Sequence, residues 1–158
     1  MNKAERTVDL FSGGMTCAQA MLAVFGEAHG LNVDMVARLG RPLGGGMGRS
    51  GRTCGALTSA VLLLGLSKDD PDEAEARKAC VHHVQQLFQR FIGIHGTTEC
   101  SELLGADWNT AEGLRKIQEE NLVKNLCPAF VKDAASILEE LMTDSSCPAA
   151  RVARPSVR

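Results

Sequence analysis

Apolar residues return at helical spacing along most of this chain, and one glycine-rich stretch, RPLGGGMGRSGRT at residues 41–53, breaks the pattern. Ala18, Met21, Leu22 and Phe25 lie on one face of a helix read over residues 15–28. Val81, Val84, Leu87, Phe88 and Phe91 mark the inner stripe of a longer helix that follows Asp69-Asp70-Pro71 and ends near Ile92, before Gly93 and Gly96. Further helices are read over residues 4–11, 34–39, 54–66, 100–104, 107–117 and 128–142, the first with Val8 and Phe11 inward, the last with Ala129, Phe130, Ala134, Ile137, Leu138 and Leu141 inward. The expected fold is all-α, a compact single-domain bundle of several helices around a glycine-rich loop. Five glycines in thirteen residues call for positive φ angles or for backbone packed closely on a neighbour.

A chain of 158 residues is long enough for one domain with its own core, and its 44% apolar content supplies one. The helical cysteine-containing domain is expected over residues 1–142. Residues 143–158, rich in Ser, Pro, Ala and Arg, are expected to form a poorly ordered tail. A formal charge of −2 with scattered Lys and Arg gives no reason to expect nucleic acid as a partner. The longest apolar run, residues 60–66, is too short to insert in a membrane. The charged amino end carries no apolar signal core, so the expected compartment is the cytoplasm, where cysteines stay mostly reduced. Six cysteines there exceed what packing requires.

Four of the six are read at helix starts. Cys17 follows the turn Ser12-Gly13-Gly14, Cys54 follows the glycine run, Cys100 follows Thr97-Thr98, and Cys127 precedes Pro128, a residue suited to the first helical position. The first turn of a helix has unpaired N–H groups and a partial positive charge, which favour thiolate over thiol. Each cysteine also has a plainer reading as a small buried hydrophobe. Cys54 has the strongest case for chemistry, because its glycine loop can turn several N–H groups toward one point. His95 lies upstream of Cys100 as a base, a second ligand or a structural residue. Cys80 shares a helix face with His83, beside His82, but no matching pair is encoded elsewhere, so it reads as core filler. Cys147 reads as an incidental free thiol in the tail.

Absences narrow the chemistry. The chain has no Cys-x-x-Cys, no haem-attachment or ferredoxin cysteine run, and no Gly-Lys-Ser/Thr after its glycines. Any site must be assembled from distant helix ends.

The pattern Met15-Thr16-Cys17-Ala18-Gln19-Ala20, Thr53-Cys54-Gly55-Ala56, Cys100 before Glu102-Leu103-Leu104-Gly105, and Cys127-Pro128 resembles the C_GCAxxG_C_C family, whose members are described as redox-active. The resemblance spans about residues 4–142 and implies four site residues: Cys17, Cys54, Cys100 and Cys127. The motif's final glycine corresponds to Ser59.

Three functions follow. In the first, helix-terminal cysteines carry out thiol–disulfide exchange or electron transfer with an unknown redox partner, Cys54 attacking and Cys17 resolving; the cofactor is unknown, with none as one alternative. In the second, the four thiolates bind zinc or an iron–sulfur cluster. In the third, the chain is a non-catalytic helical interaction or dimerisation domain, and a homodimer is compatible with each.

Overall fold

The computed structural model describes residues 1–68 and 70–144. Among them the chain is helical, without strands, in agreement with the all-α expectation. The helices are α1 (Lys3–Ser12), α2 (Cys17–Gly26), α3 (Val33–Gly40), α4 (Gly55–Ser67), α5 (Glu73–His95), α6 (Cys100–Leu104), α7 (Ala111–Glu119) and α8 (Leu122–Thr143). Of the tail expected over residues 143–158, Thr143 ends α8, and residues 145–158, with Cys147, lie outside the described residues, as does Asp69. No described helix is long and apolar enough to cross a membrane.

Local chemistry sets the starts. Asn2 and Glu5 close a capping box on α1, and Thr16 and Gln19 close one on α2. Asn32, Asp72 and Thr110 cap α3, α5 and α7 through their side chains. The cap of α5 is thus Asp72, two residues beyond the expected start, and Pro71 stays outside the helix. Gly93 does not end α5. Glycine costs a helix interior only about 1 kcal/mol, and the stop falls at Gly96, whose φ of 80° takes the left-handed conformation.

Two corrections concern faces and ends. The buried stripe of α5 is Ala79, His83, Leu87 and Phe91, a strict four-residue spacing, and Val81 points outward at 50% exposure. The sequence reading includes Leu87 and Phe91 but passes over Ala79 and His83, because a histidine does not look like an inward residue. The last helix starts at Leu122, not at Pro128. Asn121, at φ 50°, makes the break after α7, and Pro128 sits inside α8. A proline there removes one helical bond, to the carbonyl of exposed Lys124.

Helix α4 occupies the middle. It packs against α2, α5 and α8, while α1 lies across α2 and α8. Leu57, Leu63 and Leu64 of α4, Met21 and Phe25 of α2, and Val131 and Leu138 of α8 form the centre of the main cluster. Cys100, Leu104, Ile117 and Leu122 form a second, smaller cluster, against which Trp108 and Cys127 pack. Ser59 is wholly buried between α2 and α4, and its Oγ donates to the Ala18 carbonyl at 3.3 Å. The place of the motif's last glycine is therefore a close helix approach that tolerates one small side chain. Ser59→Ala is expected to cost no more than about 1 kcal/mol, one modest hydrogen bond, whereas Ser59→Leu costs at least about 1–3 kcal/mol by overpacking. Urea unfolding curves of the two variants check this ordering.

Candidate functional site

The glycine-rich stretch folds as a sequence of tight turns. Positive φ angles occur at Gly45, Gly46, Met47, Gly48, Arg49 and Gly51, between 62° and 71°. Two of the glycines also answer a steric demand. A Cβ on Gly46 would lie 2.3 Å from the Arg52 carbonyl oxygen and 2.7 Å from the Cys100 Cβ, and one on Gly51 would lie 2.0 Å from the Ser101 Oγ. The loop is thereby pressed onto the start of α6. Main-chain hydrogen bonds hold it there. The Cys54 N–H donates to the Thr98 carbonyl at 2.8 Å, and the Cys100 N–H donates to the Arg52 carbonyl at 2.7 Å. Thr53 and Glu99 form an isolated antiparallel bridge between these two bonds.

This stitching brings Cys54 and Cys100 to one place, and α2 and α8 bring the others. Cys17, Cys54, Cys100 and Cys127 all line a single cavity of about 510 Å³, walled also by Phe11, Met15, Trp108 and Phe130. Cys17 is the first residue of α2, behind the Thr16 cap, and is half-buried. Cys54 is the residue just before α4, buried at 6% exposure, and its side chain closes no cap hydrogen bond. Cys100 is the first residue of α6 and is also buried. Cys127 departs from expectation: it lies in the second turn of α8, not at its end. A Cβ on Gly55 would stand 2.8 Å from the Cys17 Sγ, so the Cys17 sulfur rests directly against the residue after Cys54. The cavity lies on the seam of the fold. Cys17 and Cys54 belong with the main cluster, Cys100 and Cys127 with the smaller one.

The other sequence candidates lie elsewhere. His95 pairs with Asp133 at 2.9 Å and packs between Phe91 and Phe130, so it is structural and does not face the thiols. His83 is buried, with its Nδ1–H donating to the Ala79 carbonyl at 2.8 Å. His82 and Cys80 stay on α5, away from the cavity wall. Trp108 is a site residue that the cysteine pattern does not reveal. Its buried indole N–H has no hydrogen-bond partner, and its presence beside Cys100 acts to lower that thiol's pKa. The only signal for it is that this is the chain's single tryptophan.

The electrostatics reverse the expectation that helix starts lower these thiol pKa values. Cys54 is raised well above the ordinary thiol value, first because its S–H hydrogen-bonds to Cys17, then by burial and by the charge Cys17 can carry. The amides of Ala56 and Leu57 act in the opposite direction, too weakly to prevail. Cys100 is pushed up to about 11, chiefly by burial, with Cys54 and Glu99 adding repulsion and Trp108 opposing. Cys127 is pushed up to about 12 by burial and by repulsion from Cys54 and Cys100. The magnitudes explain the reversal. A helix terminus contributes about 0.3–1 kcal/mol, whereas a shift of two pKa units corresponds to about 2.7 kcal/mol. Burial and like charge therefore outweigh the dipole.

The described cysteines are free thiols. Among the described residues, no group of three or more His, Cys, Asp or Glu side chains stands at metal-ligating spacing.

The chain is thus an all-α protein that gathers four cysteines from four separate segments into one cavity. Residues 15–141 match the family described as "Putative redox-active protein (C_GCAxxG_C_C)", and this chain belongs to it. No curated protein and no solved structure matches the chain.

At about pH 8 Cys100 holds about a hundredfold less thiolate than an unperturbed thiol, and the greater nucleophilicity of its thiolate recovers about tenfold of that. Native Cys100 is therefore expected to react with iodoacetamide at least about tenfold more slowly than in denaturant, as followed by peptide mass spectrometry. The same raised pKa values make the sign of the pH effect on stability definite. The unfolded thiols ionise first, so their contribution to stability is complete below about pH 9 and declines as pH rises toward 11 and 12.

Proposed function

We propose that this protein is a two-electron thiol–disulfide exchange protein in which Cys17 and Cys54 are the working pair. One observation carries the reading: the Cys17 sulfur rests against Gly55, the residue next to Cys54, where a Cβ would stand 2.8 Å from it, and its nearness is the first cause of the raised Cys54 pKa. The roles are the reverse of those read from the glycine loop. Cys54 is buried with a raised pKa, which suits a resolving thiol, and Cys17 is half-buried on the cavity wall, which suits an entering one. The Cys17 thiolate attacks one sulfur of a substrate disulfide, forms a mixed disulfide and expels the first thiolate. Cys54 then gives up its proton and attacks the Cys17 Sγ. A Cys17–Cys54 disulfide forms and the second thiol leaves. The protein dithiol loses two electrons, and the substrate disulfide gains them.

Treating the reduced protein with hydroxyethyl disulfide tests the proposal. The expected product is a Cys17–Cys54 disulfide, identified by mass spectrometry of non-reduced peptides. Cys17→Ser slows exchange by at least about a hundredfold, and Cys54→Ser accumulates the mixed disulfide on Cys17. A Cys100–Cys127 bridge, or no bridge, overturns the assignment.

A second reading, a four-cysteine zinc or iron–sulfur centre, has its own support. Like charge at Cys54 raises the pKa of Cys100 and of Cys127, and Cys100 adds to the rise at Cys127, a penalty that a bound cation relieves. The sulfurs would have to move closer, since no three described ligand groups stand at metal-ligating spacing. Metal analysis of anaerobically purified protein separates the readings. We expect substoichiometric metal, and one bound zinc or cluster per chain would put the centre in place of the exchange reaction.

A further inference from the structure

The wall of the cysteine cavity is not electrically neutral. Two of its residues, Arg41 and Arg49, carry charge, and no Asp, Glu, Lys or His lines it. Both arginines are exposed at its edge, and among the described residues neither forms an ion pair with a carboxylate. The carboxylate that acts on the thiols, Glu99, is not on the wall, and it accepts a hydrogen bond from the Thr53 hydroxyl at 3.4 Å.

Arg49 is held in an unusual way. Its φ of 62° is a left-handed conformation that a residue with a side chain rarely adopts. That backbone sets its guanidinium 5.4 Å from the centre of the Trp108 ring. The same tryptophan lines the cavity and packs against the cluster that holds Cys100. One rigid aromatic plane thus links a cation at the cavity edge to a thiol inside it. Arg41 precedes the glycines and Arg49 stands among them, so the stretch delivers two positive charges to the same opening. Strained backbone of this kind concentrates at functional sites.

We propose that Arg41 and Arg49 select the substrate, and that it is a small disulfide bearing carboxylates. The proposal rests on the exchange reaction assigned above to Cys17 and Cys54. A cavity of about 510 Å³ falls in the range for small-molecule ligands. Unpaired arginines at its edge attract and orient an anion, and guanidinium matches a carboxylate with two parallel hydrogen bonds. The chemistry is that of the proposed reaction: the anionic disulfide takes two electrons from the cysteine pair and leaves as two carboxylated thiols, so no further co-reactant enters the step.

The test compares three aliphatic disulfides on the reduced protein: dithiodipropionate, a dianion; hydroxyethyl disulfide, which is neutral; and cystamine, a dication. Each rate is divided by that disulfide's rate with free mercaptoethanol, which removes intrinsic reactivity. At low salt the normalised rate for the dianion is expected to exceed that for the dication by at least about tenfold, and the margin shrinks as salt screens the arginines. Arg41→Gln with Arg49→Gln is expected to reduce the preference to about twofold or less, while Arg77→Gln, on α5, keeps it. Exposed arginines tolerate these changes, and circular dichroism verifies the fold. Equal normalised rates for the three disulfides, or a preference that survives the double variant, overturn the proposal while leaving the exchange reaction standing. Failure of all three disulfides to react overturns both.

Discussion

The site depends on a pair of main-chain hydrogen bonds between segments nearly fifty residues apart in sequence. Cys54 N–H to Thr98 and Cys100 N–H to Arg52 fasten the end of the glycine stretch to the start of α6. Without them, two cysteines would belong to unrelated turns. With them, the chain obtains a short piece of strand-like pairing inside a helical protein, and that piece carries two thiols into one cavity. The glycines follow from this contact. Gly46 and Gly51 stand where any side chain would collide with the opposing segment. The loop is rich in glycine because another part of the backbone occupies the space.

Helix content was easy to read in the sequence, and helix ends were harder. The α2 face of Ala18, Met21, Leu22 and Phe25 is buried as its spacing demands. The start of α8 was missed because proline before an apolar helix is a strong local signal, whereas the actual break is Asn121 in the left-handed region, which composition does not announce. The inward stripe of α5 was blurred by His83, a polar residue that the core accepts because the preceding turn supplies a hydrogen bond. The sequence expectation that distant helix ends assemble these cysteines agrees with their shared cavity, but their electrostatics are not legible in it. Helix starts point to lowered pKa values. Burial and the nearness of the other thiols are tertiary facts, and they prevail at Cys54, Cys100 and Cys127.

The seam location gives the cavity a particular mechanical setting. Cys17 and Cys54 ride on helices that share the main cluster, while Cys100 and Cys127 sit among the residues of the smaller one. Tight packing within each cluster fixes the thiols locally. The relative placement of the two pairs then depends on how the two clusters meet. The glycine stretch and α8 touch elements of both, so they set how the clusters meet.

Ser59 shows what kind of information a motif letter can hold. Its hydroxyl fits between α2 and α4 and bonds to the Ala18 carbonyl, at the place to which the resemblance assigns the motif's last glycine. The letter therefore encodes a clearance between two cylinders, not an atom with a task. A pattern search insisting on glycine there would pass over sequences of this kind, while one written for any residue of serine's bulk or less would retrieve them.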